Sequence, residues 1–235
     1  MTATEADRTS ALPRGLCLFD LDDTLLPIDS DHAWGEFVIR LGWVDEGPFR
    51  RANDAFYAAY KDGRLDIHEY IEFATAPLRA RSVEATSAAH ARFMREVVEP
   101  AVRPEALALV REHQGRGDWI ALVTATNDFV TGPIAGAFGI TDLIAVRLER
   151  AAGGTITGRI SGTPSFRQGK VTRVEEWLAK GGCSWHDFDR ISVYSDSVND
   201  LPLLERATEP VATNPSPALE AIARERGWRI LNLFA

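Results

Sequence analysis

The stretch Leu16-Cys17-Leu18-Phe19-Asp20-Leu21-Asp22-Asp23-Thr24-Leu25 constrains the fold of this chain more than any other. Four consecutive apolar residues make a short strand buried on both faces, as in a parallel sheet covered by helices. Such a strand delivers Asp20 and Asp22 into the loop at its carboxyl end, where open α/β sheets place their ligands. Side chains two apart on an extended chain address the same space. Two carboxylates that close repel one another unless a cation or a shared proton intervenes. The pattern points to a hard-cation site beside a carboxylate that attacks or shuttles protons. An acidic turn after a strand is the plainer alternative.

Residues 120–124, 143–146 and 191–194 repeat the buried-strand pattern, and 210–213 and 229–233 add edge strands. Helical patterns lie between them: residues 105–114, ended by Gly115 and Gly117, and 170–179, ended by Gly181-Gly182. Alternating strands and helices predict an α/β fold, a doubly wound parallel sheet of Rossmann-like type. Between Asp29 and about Pro100 the period changes. Trp34, Phe37, Val38 and Leu41 repeat at helical spacing, as do Phe49, Phe56, Tyr57 and Tyr60, then Ile67, Tyr70, Ile71 and Ala74. This inserted helical unit is expected to break near Gly42, Gly47-Pro48, Lys61-Asp62-Gly63 and Pro77. A smaller insert, residues 147–149 and 155–160 around Gly153-Gly154, has the pattern of a β-hairpin leaving the sheet. The expected organisation is a disordered tail at 1–14, an α/β core at 15–28 and 101–235, and a helical cap at 29–100.

At 235 residues and 45% hydrophobic, the chain is long enough to bury a sizeable core. Its net charge of −8 argues against wrapping nucleic acid or lying on an anionic membrane. A small phosphorylated partner remains compatible, since local cations and backbone amides bind anions inside acidic proteins. No apolar run reaches the length of a membrane span, and the first dozen residues lack the apolar stretch of a signal peptide. Cys17 and Cys183, far apart in sequence, are expected to be reduced structural thiols in a cytoplasmic protein.

The second strand ends in Thr124-Ala125-Thr126-Asn127, and a threonine hydroxyl with adjacent backbone N–H groups suits a phosphate oxygen as well as it caps a helix. Gly169-Lys170 opens a helix, so the lysine adds its charge to the positive helix end. The run Ile191-Ser192-Val193-Tyr194-Ser195-Asp196-Ser197-Val198-Asn199-Asp200 again carries a buried strand into carboxylates, Asp196 and Asp200, with Asn199 between them. Acids on a second strand end complete the oxygen shell that Mg²⁺ demands. Each element alone is ambiguous; three strand ends of this chemistry, with a lysine between the second and third, point together to a Mg²⁺-bound phosphate.

On these residues the chain resembles the haloacid dehalogenase superfamily, specifically its phosphatases with a helical cap, of which the phosphoserine phosphatases are the best known. Asp20, Asp22 and Thr24 match the first motif, Thr124 the second, Lys170 the third, and Ser195-Asp196-Ser197-Val198-Asn199-Asp200 the fourth. Ser195 stands where glycine is common, and Thr124-Ala125-Thr126-Asn127 where phosphoserine phosphatases have Ser-Gly-Gly.

The resemblance implies a Mg²⁺-dependent phosphomonoester hydrolase. Asp20 is then the nucleophile that forms an aspartyl-phosphate, and Asp22 the general acid and base. Asp20, the Asp22 backbone carbonyl and Asp196 hold the metal. Thr124, Ala125, Lys170 and Asn199 surround the phosphoryl group, with Thr24 and Asp200 orienting these groups from behind. Asp29 lies where phosphoserine phosphatases place an acid that meets the substrate amine. With Asp31 nearby it suggests a small amine-bearing metabolite, such as phosphoserine or histidinol phosphate; both acids also suit the cap of a helix starting near His32. A phosphotransferase would use the same residues. A catalytically silent binding module would be expected to break a motif, and none is broken. Oligomeric state is not encoded in any feature of the sequence.

Overall fold

The computed structural model describes residues 15–234; the expected tail at 1–14 lies outside them. In chain order, β1 (Gly15–Phe19) is followed by α1 (Ser30–Arg40), α2 (Glu46–Lys61), α3 (Ile67–Arg79) and α4 (Val83–Phe93). A π-helical stretch, Met94–Val98, continues α4 into the short α5 (Glu99–Ala101). Then come α6 (Pro104–Gly115), β2 (Trp119–Asn127), α7 (Asp128–Ala137), β3 (Asp142–Val146), β4 (Leu148–Arg150) and β5 (Ile156–Ile160). The chain closes with α8 (Gln168–Lys180), β6 (Arg190–Ser195), α9 (Leu201–Leu204), β7 (Glu209–Thr213), α10 (Pro217–Arg226) and β8 (Arg229–Leu231).

Six strands form one parallel sheet in the order β3-β2-β1-β6-β7-β8. The order runs outward one way from β1 through β3 and the other way from β6 through β8. The switch point therefore falls between β1 and β6, where a doubly wound sheet opens a ligand crevice. Alternation along β1 builds two cores. Cys17 and Phe19 face a cluster shared with α6 and α7, and Leu16 and Leu18 one shared with α8, α9 and α10. The strand expected at 210–213 is internal rather than an edge, because β8 pairs outside it. β4 and β5 stand apart as an antiparallel pair.

The inserted helices end where local chemistry stops them, with two corrections to the sequence expectation. Gly47-Pro48 does not break a helix: Pro48 sits in the first turn of α2, where a missing N–H costs nothing. Pro77 lies inside the last turn of α3, not after it. Asp66 and Ser82 cap α3 and α4 through their side chains. Nor do these helices keep a separate core. Trp34, Phe37 and Phe93 belong to the same apolar cluster as Phe19 and Leu122. Trp34 meets Phe93 and Phe129 edge-on at 5.2 and 5.5 Å between ring centroids, which joins α1 and α4 to α7.

Phe93 is fully buried in this joint. Phe93→Ala is expected to lower the unfolding free energy by about 3–5 kcal/mol, measured by denaturant titration.

Candidate active site

Register brings the motif residues together. Phe19 pairs with Tyr194 on one side and Leu122 on the other. Asp20, which follows β1, Asp196, which follows β6, and Thr124, two residues beyond Leu122 within β2, therefore lie toward the carboxyl edge of the sheet. The Asp20 amide donates to the Tyr194 carbonyl at 2.9 Å, which fixes the point where β1 ends.

Lys170 organises this edge. It is the third residue of α8 and fully buried. Its Nζ donates to Asp20 Oδ1 at 2.8 Å and Asp200 Oδ2 at 2.6 Å. Burial opposes its charge, but the two carboxylates outweigh burial and hold the ammonium above its ordinary range. The preceding glycine makes the approach possible, since a Cβ at Gly169 would lie 2.0 Å from the Pro164 carbonyl oxygen. Ser195, at the usual glycine position, donates to Asp200 Oδ2 at 2.8 Å and accepts from the Ser197 amide. Its hydroxyl thus adds a second donor to the carboxylate that faces Lys170.

Asp20 Oδ2 has only a marginal 3.5 Å contact with Thr24 Oγ1. Burial pushes the Asp20 carboxyl up; Lys170 opposes this and Asp200 adds to it. Asp22 accepts from the Ser30 amide at 2.7 Å and from Thr126 Oγ1 at 2.8 Å. Burial and then the charge of Asp29 raise it to about 7 despite those donors. Thr124 Oγ1 accepts from the Thr126 amide at 3.1 Å, which leaves its O–H free to donate into the cleft.

Asp196 is the least compensated carboxylate of the group. It is buried, and among the described residues no side-chain or backbone donor hydrogen-bonds to its carboxyl oxygens. Burial, then the charges of Asp20 and Asp23, push it up to about 9. Asp200 Oδ1 is also buried without a partner. The uncompensated Asp196 carboxylate and the free oxygen of Asp20 are oxygen donors of the kind a hard divalent cation takes.

In front of these groups lies a cleft that opens to solvent. Asp20, Asp22, Asp29, Asp31, Thr124, Ala125 and Thr126 line one side, and Phe56, Tyr57, Tyr60 and Tyr70 from α2 and α3 the other. Asn199 is not among its walls. Its Nδ2 donates to the Tyr60 carbonyl at 3.1 Å and its Oδ1 accepts from Arg167 Nε at 3.4 Å, so it ties the end of α2 to the site instead. Asp29 caps α1 by accepting from the His32 amide at 2.8 Å, and also faces the cleft. At the outer lip His32, Glu36 and Asp54 bring ligand-type atoms within 4.8 Å of one another. These groups are already satisfied, because Arg50 grips Glu36 and His32 pairs with Asp54 at 2.9 Å.

Thr126, Tyr70 and Arg167 escaped the sequence expectations. Thr126 was visible as the second hydroxyl, two residues beyond Thr124. Tyr70 stood in an apolar stripe indistinguishable from core. Arg167 carries a positive φ of 52°, which only the backbone reveals, and also donates to the Gly63 carbonyl.

A doubly wound parallel sheet with buried carboxylates and a lysine at its switch point defines an α/β protein with an acidic ligand crevice. The haloacid dehalogenase-like hydrolase family model matches residues 17–205, and the chain belongs to that family. A histidinol-phosphatase from Neisseria meningitidis serogroup C is 42% identical over 219 residues, covering 93% of this chain and 99% of its own. A crystal structure of a protein of unknown function from Bordetella pertussis Tohama I superposes with a TM-score of 0.89 at 50% identity, covering 94% and 99% of the two chains. A substrate-bound phosphoserine phosphatase shares the fold at 18% identity and a TM-score of 0.65, covering 92% and 91%.

Lys170→Met leaves Asp20 and Asp200 buried without their shared cation. A loss of about 3–5 kcal/mol in stability is expected, and Asp200→Asn in the same chain should recover part of it in thermal denaturation.

Proposed function

We propose that this chain is a phosphatase that hydrolyses a small phosphorylated metabolite through an aspartyl-phosphate on Asp20. The observation that carries this reading is the buried Lys170 bridge, which anchors one oxygen of Asp20 and leaves the other free beside the cleft. Asp20 Oδ2 attacks phosphorus in line; the new O–P bond forms as the bond to the leaving oxygen breaks. Asp22, with a pKa of about 7, is suited to protonate that oxygen and then to take a proton from the water that splits the acyl phosphate. Thr124 O–H and the neighbouring amides meet the phosphoryl oxygens, and Lys170 balances charge on Asp20 as phosphorus approaches.

The residues that would hold Mg²⁺ are Asp20, Asp196 and the Asp22 backbone carbonyl. When bound, the ion neutralises charge on the phosphoryl group. Helices α1–α5 act as a cap that excludes water and meets the leaving group. Asp29 at the cap boundary supports an amine-bearing substrate, and relatives named for histidinol phosphate and phosphoserine support the same class. Among the described residues no helix is long and apolar enough to cross a membrane. Cys17 and Cys183 are free and buried, which suits the reducing cytoplasm.

Asp20→Asn is expected to lower kcat for p-nitrophenyl phosphate by about 10³-fold or more, with an unchanged far-ultraviolet circular dichroism spectrum. A variant turning over at near wild-type rate removes Asp20 as nucleophile. Chelation with EDTA should abolish turnover and added Mg²⁺ restore it; undiminished activity in the chelator argues against the metal.

A further inference from the structure

The part of the cleft beyond Asp20 and Asp22 carries charge that the hydrolytic chemistry does not use. Asp31, in the first turn of α1, is 6% exposed and lines this space. Its one hydrogen bond to another side-chain amide is from Asn127 Nδ2 to Oδ1 at 3.2 Å, and it forms no ion pair among the described residues. Burial, then the charges of Asp29 and Asp22, raise its carboxyl well above the usual range, and the Tyr70 hydroxyl is what opposes them. Asp29 adds a second negative charge to the same walls.

Among the described residues no lysine or arginine lines the cleft, and His32, which does, is paired with Asp54 at 2.9 Å. The nearby cations are committed elsewhere, Lys61 to Asp23 at 2.6 Å and Lys170 to Asp20 and Asp200. Buried carboxylates without a cation are costly, and a site that keeps them is arranged for a ligand that supplies it. The opposite wall is Phe56, Tyr57, Tyr60 and Tyr70, and aromatic faces attract organic cations. Two carboxylates exceed what one ammonium neutralises. The two acids are also anchored separately, Asp29 by the His32 amide and Asp31 by Asn127 and the Tyr70 hydroxyl.

We propose that Asp31, with the Tyr70 hydroxyl, forms a second cation subsite beside Asp29, so that the cleft selects a phosphomonoester whose alcohol carries two basic nitrogens and no carboxylate. This rests on the phosphatase reading above. An α-amino acid ester such as phosphoserine brings one ammonium and one carboxylate. Its carboxylate would meet Asp29 and Asp31 with no cation to receive it, and like-charge contact in a desolvated cleft is a strong basis for rejection. An ester of an amino alcohol with a basic ring, such as histidinol phosphate, satisfies both acids.

The test compares kcat/KM on four esters: histidinol phosphate with two basic nitrogens, phosphoethanolamine with one, phosphoserine with one and a carboxylate, and p-nitrophenyl phosphate with none. The wild type is expected to favour them in the order histidinol phosphate, phosphoethanolamine, phosphoserine, with at least about tenfold between the first and the last. Asp31→Asn should reduce the ratio of kcat/KM for histidinol phosphate over phosphoethanolamine by about 10–100-fold, mainly through KM. Tyr70→Phe should move it in the same direction and provides the test if Asp31→Asn does not fold. A ratio unchanged in the folded variant, or a wild type that prefers phosphoserine, overturns the subsite. Calorimetric binding of histidinol separates the two readings. Wild type that binds histidinol more tightly than ethanolamine but hydrolyses none of the esters keeps the subsite and loses the phosphatase. Wild type that hydrolyses p-nitrophenyl phosphate yet binds the two alcohols equally keeps the phosphatase and loses the subsite.

Discussion

A lysine with no solvent contact, held between Asp20 and Asp200, is the constraint on which the rest of the site depends. Taking an ammonium out of water is unfavourable by several kcal/mol, and only the geometry of both carboxylates compensates. The requirement is structural before it is chemical. It fixes the start of α8 against the ends of β1 and β6, and it demands Gly169, where a side chain would strike the Pro164 carbonyl. It also leaves a charge imbalance, since one ammonium faces both Asp20 and Asp200. Burial first, and the charge of neighbouring carboxylates after it, raise the carboxyls of Asp20, Asp22 and Asp196. Binding of a divalent ion and a phosphoryl group would redistribute that charge, the ion drawing the carboxylates back to their ionised form.

The joint between the inserted helices and the sheet bears on this site. Trp34 and Phe93 share a core with Phe19, the residue immediately before Asp20. Asn199 and Arg167 reach the backbone at Tyr60 and Gly63, at the far end of α2. The aromatic wall of the cleft is thereby registered against the carboxylate edge at both ends. Had the helices packed only on one another, the position of Tyr70 relative to Asp31 would depend on a hinge; here it depends on side-chain packing.

Which parts of this were legible in the sequence follows from how far each feature acts along the chain. The strands were legible because a parallel sheet covered on both faces needs unbroken apolar runs, as at residues 16–19 and 191–194. The motif acids were legible because a strand end and a two-residue period place them together. Proline reads locally as a breaker, but the first turn of α2 tolerates Pro48 and the last turn of α3 accommodates Pro77. Contacts across the chain were not legible. Thr126 reaches Asp22 over 104 residues and Asn199 reaches Tyr60 over 139, and neither side chain carries a local pattern that names its partner. The same holds for Tyr70, whose helical spacing is that of a core residue.

The likeness to a phosphoserine phosphatase at 18% identity is a likeness of fold, and fold is silent on the leaving group. Phosphoryl transfer asks the same of every ester: a nucleophile in line, a proton for the departing oxygen, and cations for the equatorial oxygens. Those demands fall on strand ends, which the sheet holds in fixed register. In the proposed function the alcohol would be met by the first turn of α1 and by α2 and α3, where the sheet imposes no register and side-chain identity is free to vary. Charge balance in that second region is what the proposed subsite would use to select the substrate. A cleft with Asp29 and Asp31 on its walls, and no arginine or lysine on them among the described residues, would oppose an anionic leaving group, whichever residues perform the hydrolysis.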